Sequence, residues 1–211
     1  SGGRELFLIL VAVDVILGPL ITLAIFDRRK SIRELRLDLS VVALLQLAAL
    51  GYGMWTVAVA RPVHLVFEID RFRVVHAVDV PLELMDRAEP GVSAFPWNGP
   101  TPLAVRPFRS DTERADATIA ALRGVALGAR PDLWQPYTAA RERVLKVAQP
   151  AAQLKSRLGV RAGEIDTVLR SAGRSLDNTA YVPMVGRKAF WTAFIDPATA
   201  DVVAFMPLDS F

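Results

Sequence analysis

Two long runs of apolar residues stand near the start of the chain, and a short basic segment separates them. The runs span residues 6–26 and 39–60, and residues 27–38 between them carry five arginine or lysine side chains. A helix of about 20 residues crosses a hydrocarbon layer of about 30 Å, because each residue adds about 1.5 Å. We therefore expect residues 1–60 to form a transmembrane helical hairpin.

The basic segment predicts the orientation of this anchor. Short loops rich in lysine and arginine stay on the cytoplasmic side of a membrane. Residues 27–38 should therefore be cytoplasmic, and residues 61–211 should be periplasmic in a bacterial inner-membrane protein. Residue 1 must then also cross the membrane, and an additional upstream span is the simplest explanation. A removed signal peptide and an unaided insertion of the hairpin are the alternatives.

The pattern changes after the second apolar run. Five segments have the alternating or β-branched content of strands: 63–69, 72–78, 179–185, 189–195 and 202–206. Four segments between them have helical spacing: 110–127, with Ser110 or Asp111 as N-cap, 136–147, 151–158 and 162–172. The predicted class is α+β, with one antiparallel sheet covered on one face by helices and forming a single domain, residues 61–211.

The stretch from 81 to 107 fits neither pattern. Prolines recur through it, so we expect a long irregular connection with at most a short helix at 82–87. Strands of the first hairpin and of the C-terminal end should share one sheet, because an isolated two-stranded hairpin is not stable in water.

Composition narrows the possible functions. The chain is 52% hydrophobic, which two membrane spans explain, and it contains no cysteine. Disulfides, thiol nucleophiles and thiolate metal sites are thereby excluded. The net charge of +3 comes partly from residues 27–38, so we expect no nucleic-acid partner.

Residue types that carry catalysis are present without a catalytic arrangement. His64 and His76 fall on two strands of one hairpin, but a metal site requires at least three ligands. Glu68 and Asp70 lie together near the hairpin turn, where a solvated tip explains them better than an acid pair. No nucleophile elbow or phosphate-binding glycine loop occurs. We therefore predict no enzyme activity and no cofactor.

Asp14 is the most unusual residue of the first apolar run. A carboxylate in the middle of a span costs about 2.5–3.5 kcal/mol on insertion scales, so it should face protein or water. Gly18 and Thr22 follow at intervals of four residues and share its helical stripe. We interpret Asp14, Gly18 and Thr22 as a candidate surface for a partner helix. The alternative is a hydrogen bond within the anchor, to Gln46 or to an upstream span.

Several segments together resemble the TfpX/TfpZ-type accessory proteins of type IV pilins. The membrane part is the specific part and includes VDVILGPL at 13–20, and the C-terminal YVPMVGRK at 181–188 also resembles the ending of that family. The remaining segments are 4–7, 26–27, 44–53, 60–62, 67–75 and 195–199. They cover about two thirds of the chain and leave out most of the stretch from 81 to 173.

The resemblance implies a non-catalytic inner-membrane protein. Its partner would be a type IV major pilin, which it would protect or present in the bilayer before assembly, and other pilus assembly proteins are further candidate partners. Family members normally begin with another transmembrane helix, in agreement with the upstream span expected above. The alternative function is a membrane-anchored sensor or transporter-accessory subunit whose periplasmic domain binds a small ligand.

Overall fold

The computed structural model describes residues 12, 16, 18, 20, 21 and 31–211. The chain divides into two compact units, Ser1–Arg61 and Pro62–Phe211. Within the predicted first helix, the five described residues are helical. The remainder of that helix and the first part of the basic segment lie outside the described residues.

The first complete helix, α1, runs over Ile32–Ala60 and is 29 residues long. Ser31 caps it: its hydroxyl accepts a hydrogen bond from the Glu34 N–H at 3.3 Å, and the Glu34 carboxylate accepts one from the Ser31 N–H at 3.0 Å. The expected loop 27–38 is therefore too long, since residues 32–38 already belong to the helix. Among the described residues, α1 is the helix that is long and apolar enough to cross a membrane.

The second unit is built on an eight-stranded sheet. Its strands are β1 (Pro62–Phe67), β2 (Phe72–His76), β3 (Thr101–Val105), β4 (Trp134–Pro136), β5 (Gln149–Pro150), β6 (Ala180–Val185), β7 (Phe190–Ile195) and β8 (Val202–Met206). The order across the sheet is β4-β3-β1-β2-β6-β7-β8, and β5 pairs with β6. The α+β class is confirmed.

The first hairpin and the C-terminal strands share this sheet, as expected. The β1–β2 hairpin is antiparallel, and β2 lies beside β6 with Phe72 opposite Met184. That pairing is parallel, however, and so is the pairing of β1 with β3. The expectation of a purely antiparallel sheet is therefore wrong, and the sheet is mixed.

Strand β3 lies inside the proline-rich stretch that we expected to be irregular. Pro102 is tolerated there because β4 pairs only with Leu103–Val105, so Pro102 lies where β3 has a single neighbouring strand. The predicted short helix at 82–87 is present as a 3₁₀ helix, Leu82–Arg87.

Helices cover both faces of the sheet. They are α2 (Asp111–Leu122), capped by Ser110 as predicted, α3 (Arg141–Val147), α4 (Ala151–Arg157) and α5 (Ala162–Ser171), with 3₁₀ turns at Leu127–Ala129, Pro131–Leu133 and Tyr137–Ala140. Alternation along β6 separates the faces: Val182 packs with α3, and Tyr181 packs with α4 and α5.

The face opposite α3 carries two separate clusters. One lies over β1 and β3, beneath α2 and the turns at 127–133, and is centred on Val66 and Trp134. The other lies over β6 and β7, beneath α4 and α5, and is centred on Tyr181 and Phe194. The expectation of helices on one face is wrong, because both faces of the central strands are apolar.

Candidate binding groove

Of the three candidate partner-binding residues in the anchor, the structure describes Gly18. A Cβ atom built on Gly18 would lie 3.0 Å from Nε2 of Gln46 in α1. The side of the first helix that carries Gly18 therefore contacts Gln46 of its own anchor. Asp14 and Thr22 lie outside the described residues, so their roles stay predictions.

The two histidines are buried inside the second unit, Pro62–Phe211, and do not share a ligand. Nδ1 of His64 lies 2.6 Å from Oγ1 of Thr101 on β3, and the His64 ring packs edge-on against Trp134. Burial lowers the pKa of His64 to about 4, and nearby carbonyl groups of Ala94 and Ser93 offset only part of that effect. No cluster of three His, Asp or Glu side chains that could hold a metal occurs within the described residues.

Glu68 and Asp70 are separated by their partners. Asp70 pairs with Arg71 at the exposed tip of the hairpin. Glu68 is buried, where its carboxylate accepts hydrogen bonds from Arg73 Nε at 2.6 Å and from the Gly128 N–H at 2.8 Å. A Cβ at position 128 would lie 3.0 Å from Glu68 Oε1, so a larger residue there would have to displace the Glu68 carboxylate. The expectation of a solvated tip is therefore wrong for Glu68.

A groove of about 800 Å³ opens at this end of the sheet. Its walls are the loop after β1 with Glu68 and Ile69, residues 105–108 at the end of β3, one side of α2, Leu127, and the last turn of α3. The two helices lie on opposite faces of the sheet, so the groove passes around the ends of β1 and β3. The ends of β1 and β3 therefore determine where the groove lies, and α2 and α3 contribute most of the side chains that line it.

Small apolar side chains make the groove possible. One side of α2 faces it, with residues spaced by three and four positions: Arg114, Ala117, Thr118 and Ala121. Ala117 is buried against the sheet, and no large side chain follows it on that side. The volume that a leucine or phenylalanine would fill is therefore left open.

The charge of the groove is positive. Arg143 is half-buried, donates a hydrogen bond to the Val105 carbonyl at 2.7 Å and lies over the Phe67 ring. Lys146, one turn further along α3, is exposed on the groove wall. Neither forms a salt bridge within residues 31–211, and burial lowers the pKa of Arg143. Glu68 is the one carboxylate lining the groove in the described chain, and Arg73 already pairs with it.

A buried ion pair fixes one wall. Arg106, which follows β3, forms two hydrogen bonds with the Glu113 carboxylate, at 3.0 and 2.6 Å, and donates a third to the Asp132 carbonyl. Those bonds attach α2 to the sheet. The hydrogen bonds from Arg106 and from the Arg109 N–H lower the pKa of Glu113 to about 2.

Comparison with known proteins decides the family. The chain is 31% identical over 212 residues to two proteins of Dichelobacter nodosus, "Fimbrial assembly protein, serogroup I" and "Fimbrial assembly protein, serogroup E1". Each match covers the whole chain and 82% of the relative. The chain belongs to this family of fimbrial assembly proteins.

A third relative agrees over a shorter stretch. It is "Fimbrial assembly protein, serogroups C1 and C2" of the same organism, 36% identical over 87 residues, or 41% of this chain and 66% of that protein. No family model and no solved structure matches the chain. The expected link to fimbrial assembly is confirmed.

The groove of this fimbrial assembly protein was not predicted from its sequence. Its residues come from five separate segments, and the contact between Glu68 and Gly128 joins positions 60 residues apart. The sequence carries no local signal for it, because the apolar side chains that α2 exposes, Leu122 and about half of Ile119, do not line the groove.

Proposed function

We propose that this protein assists a type IV pilin on its way to the assembled fibre by binding the subunit while the subunit still resides in the membrane. The observation that carries the proposal is the match over the whole chain to fimbrial assembly proteins. The role is non-catalytic and chaperone-like, and it fits the TfpX/TfpZ-type accessory proteins that the sequence resembles.

The proposed location is the bacterial inner membrane, with α1 as one span and residues 62–211 in the periplasm. The basic side chains before and within the first turns of α1 support this orientation. Because the chain has no cysteine, single cysteines report topology without background. Ile32→Cys retains the helix cap and every charge, whereas Lys188 lies in the exposed turn between β6 and β7.

We expect Lys188→Cys to react with a membrane-impermeant maleimide in cells whose outer membrane has been permeabilised. Ile32→Cys should react only after the inner membrane is opened. Ser210 is unsuitable for such labelling because it is buried. The opposite labelling order would contradict the proposed orientation.

Pilin binding is tested by purification of the tagged protein in a mild detergent, with bound proteins identified by mass spectrometry. We expect the pilin to co-purify in an amount comparable to the tagged protein, and surface pili to be lost when the gene is deleted. Normal piliation in the deletion strain, or a purified protein without pilin, would contradict the proposal.

The stripe of Asp14, Gly18 and Thr22 is one proposed contact with the pilin, and the contact of Gly18 with Gln46 in α1 favours its alternative, a bond within the anchor. A carboxylate is costly to insert into lipid, and together with a small residue and a hydroxyl it is typical of an interface between transmembrane helices. Asp14→Leu should then reduce pilin capture while the protein stays at normal abundance, and Gln46→Leu should leave capture unchanged. If both variants lower the abundance of the protein itself, Asp14 instead stabilises the anchor through Gln46.

A further inference from the structure

The groove combines uncompensated positive charge with an open apolar surface, and neither is needed to stabilise the fold. Arg143 and Lys146 hold positive charge on one wall, without a carboxylate partner in the described part of the chain. A half-buried guanidinium that contacts only a carbonyl and a ring is not compensated in charge. A ligand carrying carboxylates would supply the missing negative charge.

Part of the opposite wall, on α2, is apolar. Ala117 and Ala121 leave room for a foreign side chain, and Ile69 at the mouth of the groove is 69% exposed. Apolar side chains around an open groove, with charged groups at the rim, are typical of a surface that holds a polypeptide segment.

We propose that this groove binds an acidic segment of the exported part of the pilin. The segment would place an apolar side chain against Ala117 and Ala121 and its carboxylates against Arg143 and Lys146. This inference rests on the proposed function and adds to it a second, periplasmic contact of stated chemistry.

The arrangement of the cations specifies what the segment must contain. Arg143 and Lys146 are three positions apart on α3, so they project on the same side about one helical turn apart. Arg114 on α2 adds a third charge, because its Asp111 partner is 4.0 Å away and both side chains are exposed. We therefore expect at least two carboxylates close together in the bound segment, beside an apolar residue.

The test is charge reversal at two exposed groove positions, Arg114→Glu together with Lys146→Glu, in the full chain. Lys188→Glu is the control. Lys188 is an exposed lysine in the turn between β6 and β7, at the end of β2 that lies away from the groove. Arg187 of the same turn lies 3.9 Å from Asp79, which follows β2. Pilin co-purified in detergent is measured for the unmodified protein and both variants, at low and high salt.

We expect the double variant to lose at least about tenfold in captured pilin, the control to retain it, and capture by the unmodified protein to fall as salt screens the contact. Equal capture by the double variant and the unmodified protein would overturn the groove inference while leaving the proposed function intact. Absence of pilin from the unmodified protein would overturn the proposed function, and the groove inference with it.

Discussion

Helices α2 and α5 cover the same face of the sheet, yet they differ in what they bury. Helix α5 places Ile165 and Leu169 four positions apart and buries both completely against Tyr181 and Phe194. Helix α2 is longer, at 12 residues, and buries only Ala117. The difference in side-chain volume makes the α5 half a closed core and leaves the α2 half open as a groove.

The two halves also differ in their buried polar groups. In the described domain, the buried imidazole and charged side chains lie in the half that contains α2 and the first hairpin: His64, Glu68, His76, Arg106 and Arg130. Buried polar groups in the α5 half are hydroxyls of Thr179, Thr192 and Ser210. The α5 half should therefore depend on packing, and the α2 half on electrostatics and pH.

Removing packing from α5 should have the largest effect. Leu169→Ala leaves a cavity in a fully buried cluster and should lower the free energy of unfolding by about 2–5 kcal/mol. Ala121→Ser, on the groove side of α2, should change it by less than about 0.5 kcal/mol. Thermal unfolding of the purified chain followed by circular dichroism measures both, and equal effects would contradict the comparison.

Acid should weaken the α2 half through His64. Its pKa is lowered to about 4 in the folded protein, against 6.5 in the unfolded chain, so between these values the unfolded chain binds more protons. The contribution of neutral His64 to the free energy of unfolding is therefore fully present above pH 6.5. It is lost as the pH drops towards 4, by on the order of 3 kcal/mol.

The check is the midpoint of thermal unfolding measured at several pH values between 7.5 and 4. His64→Gln should make the dependence less steep in this range, because His64 no longer titrates, while burial also lowers the pKa of the remaining His76. Leu169→Ala should be less stable at every pH with the original slope. An unchanged slope in His64→Gln would show that other groups cause the acid sensitivity.

The ion pairs at the starts of α2 and α5 should also differ in their effect on stability, by less than the packing of the two helices does. Glu113 receives two hydrogen bonds from the buried Arg106, and Glu164 receives two from the half-exposed Arg161. Glu113→Gln leaves a buried guanidinium without its carboxylate and should cost about 1–3 kcal/mol. Glu164→Gln should change stability little, because solvent already screens that pair.

Urea unfolding measures this contrast, with high salt as an additional condition. The cost of Glu113→Gln should persist in high salt, since Arg106 is shielded from solvent ions. A cost as small as that of Glu164→Gln would mean that α2 is attached to the sheet by other contacts.

Local signals predicted much of this fold. The hairpin of β1 and β2, the Ser110 cap and the strand Val202–Met206 all follow from neighbouring residues. Strand β3 was missed because prolines surround it, and parallel pairing of β2 with β6 joins segments more than 100 residues apart. Glu68 was expected to be exposed because the glycine that covers it follows 60 residues later.

The candidate site was less predictable than the fold for the same reason. A groove is a property of the space between elements, and Ala117 or Ala121 carries no chemical signature of its own. The anchor stripe, by contrast, could be proposed from Asp14 alone, because a carboxylate in an apolar run is conspicuous, and it stays a prediction. Gly18 against Gln46 is the part of that stripe which the structure describes.

Thr118 and Thr167 allow the most direct test of the central claim, that the open α2 half binds the pilin and the closed α5 half does not. Both are exposed, and each hydroxyl bonds to the carbonyl four residues earlier in its helix. A photo-reactive phenylalanine analogue placed at either position and activated in cells should crosslink to the pilin from position 118 and not from position 167. Crosslinks of equal yield from both positions, or from 167 alone, would contradict the account.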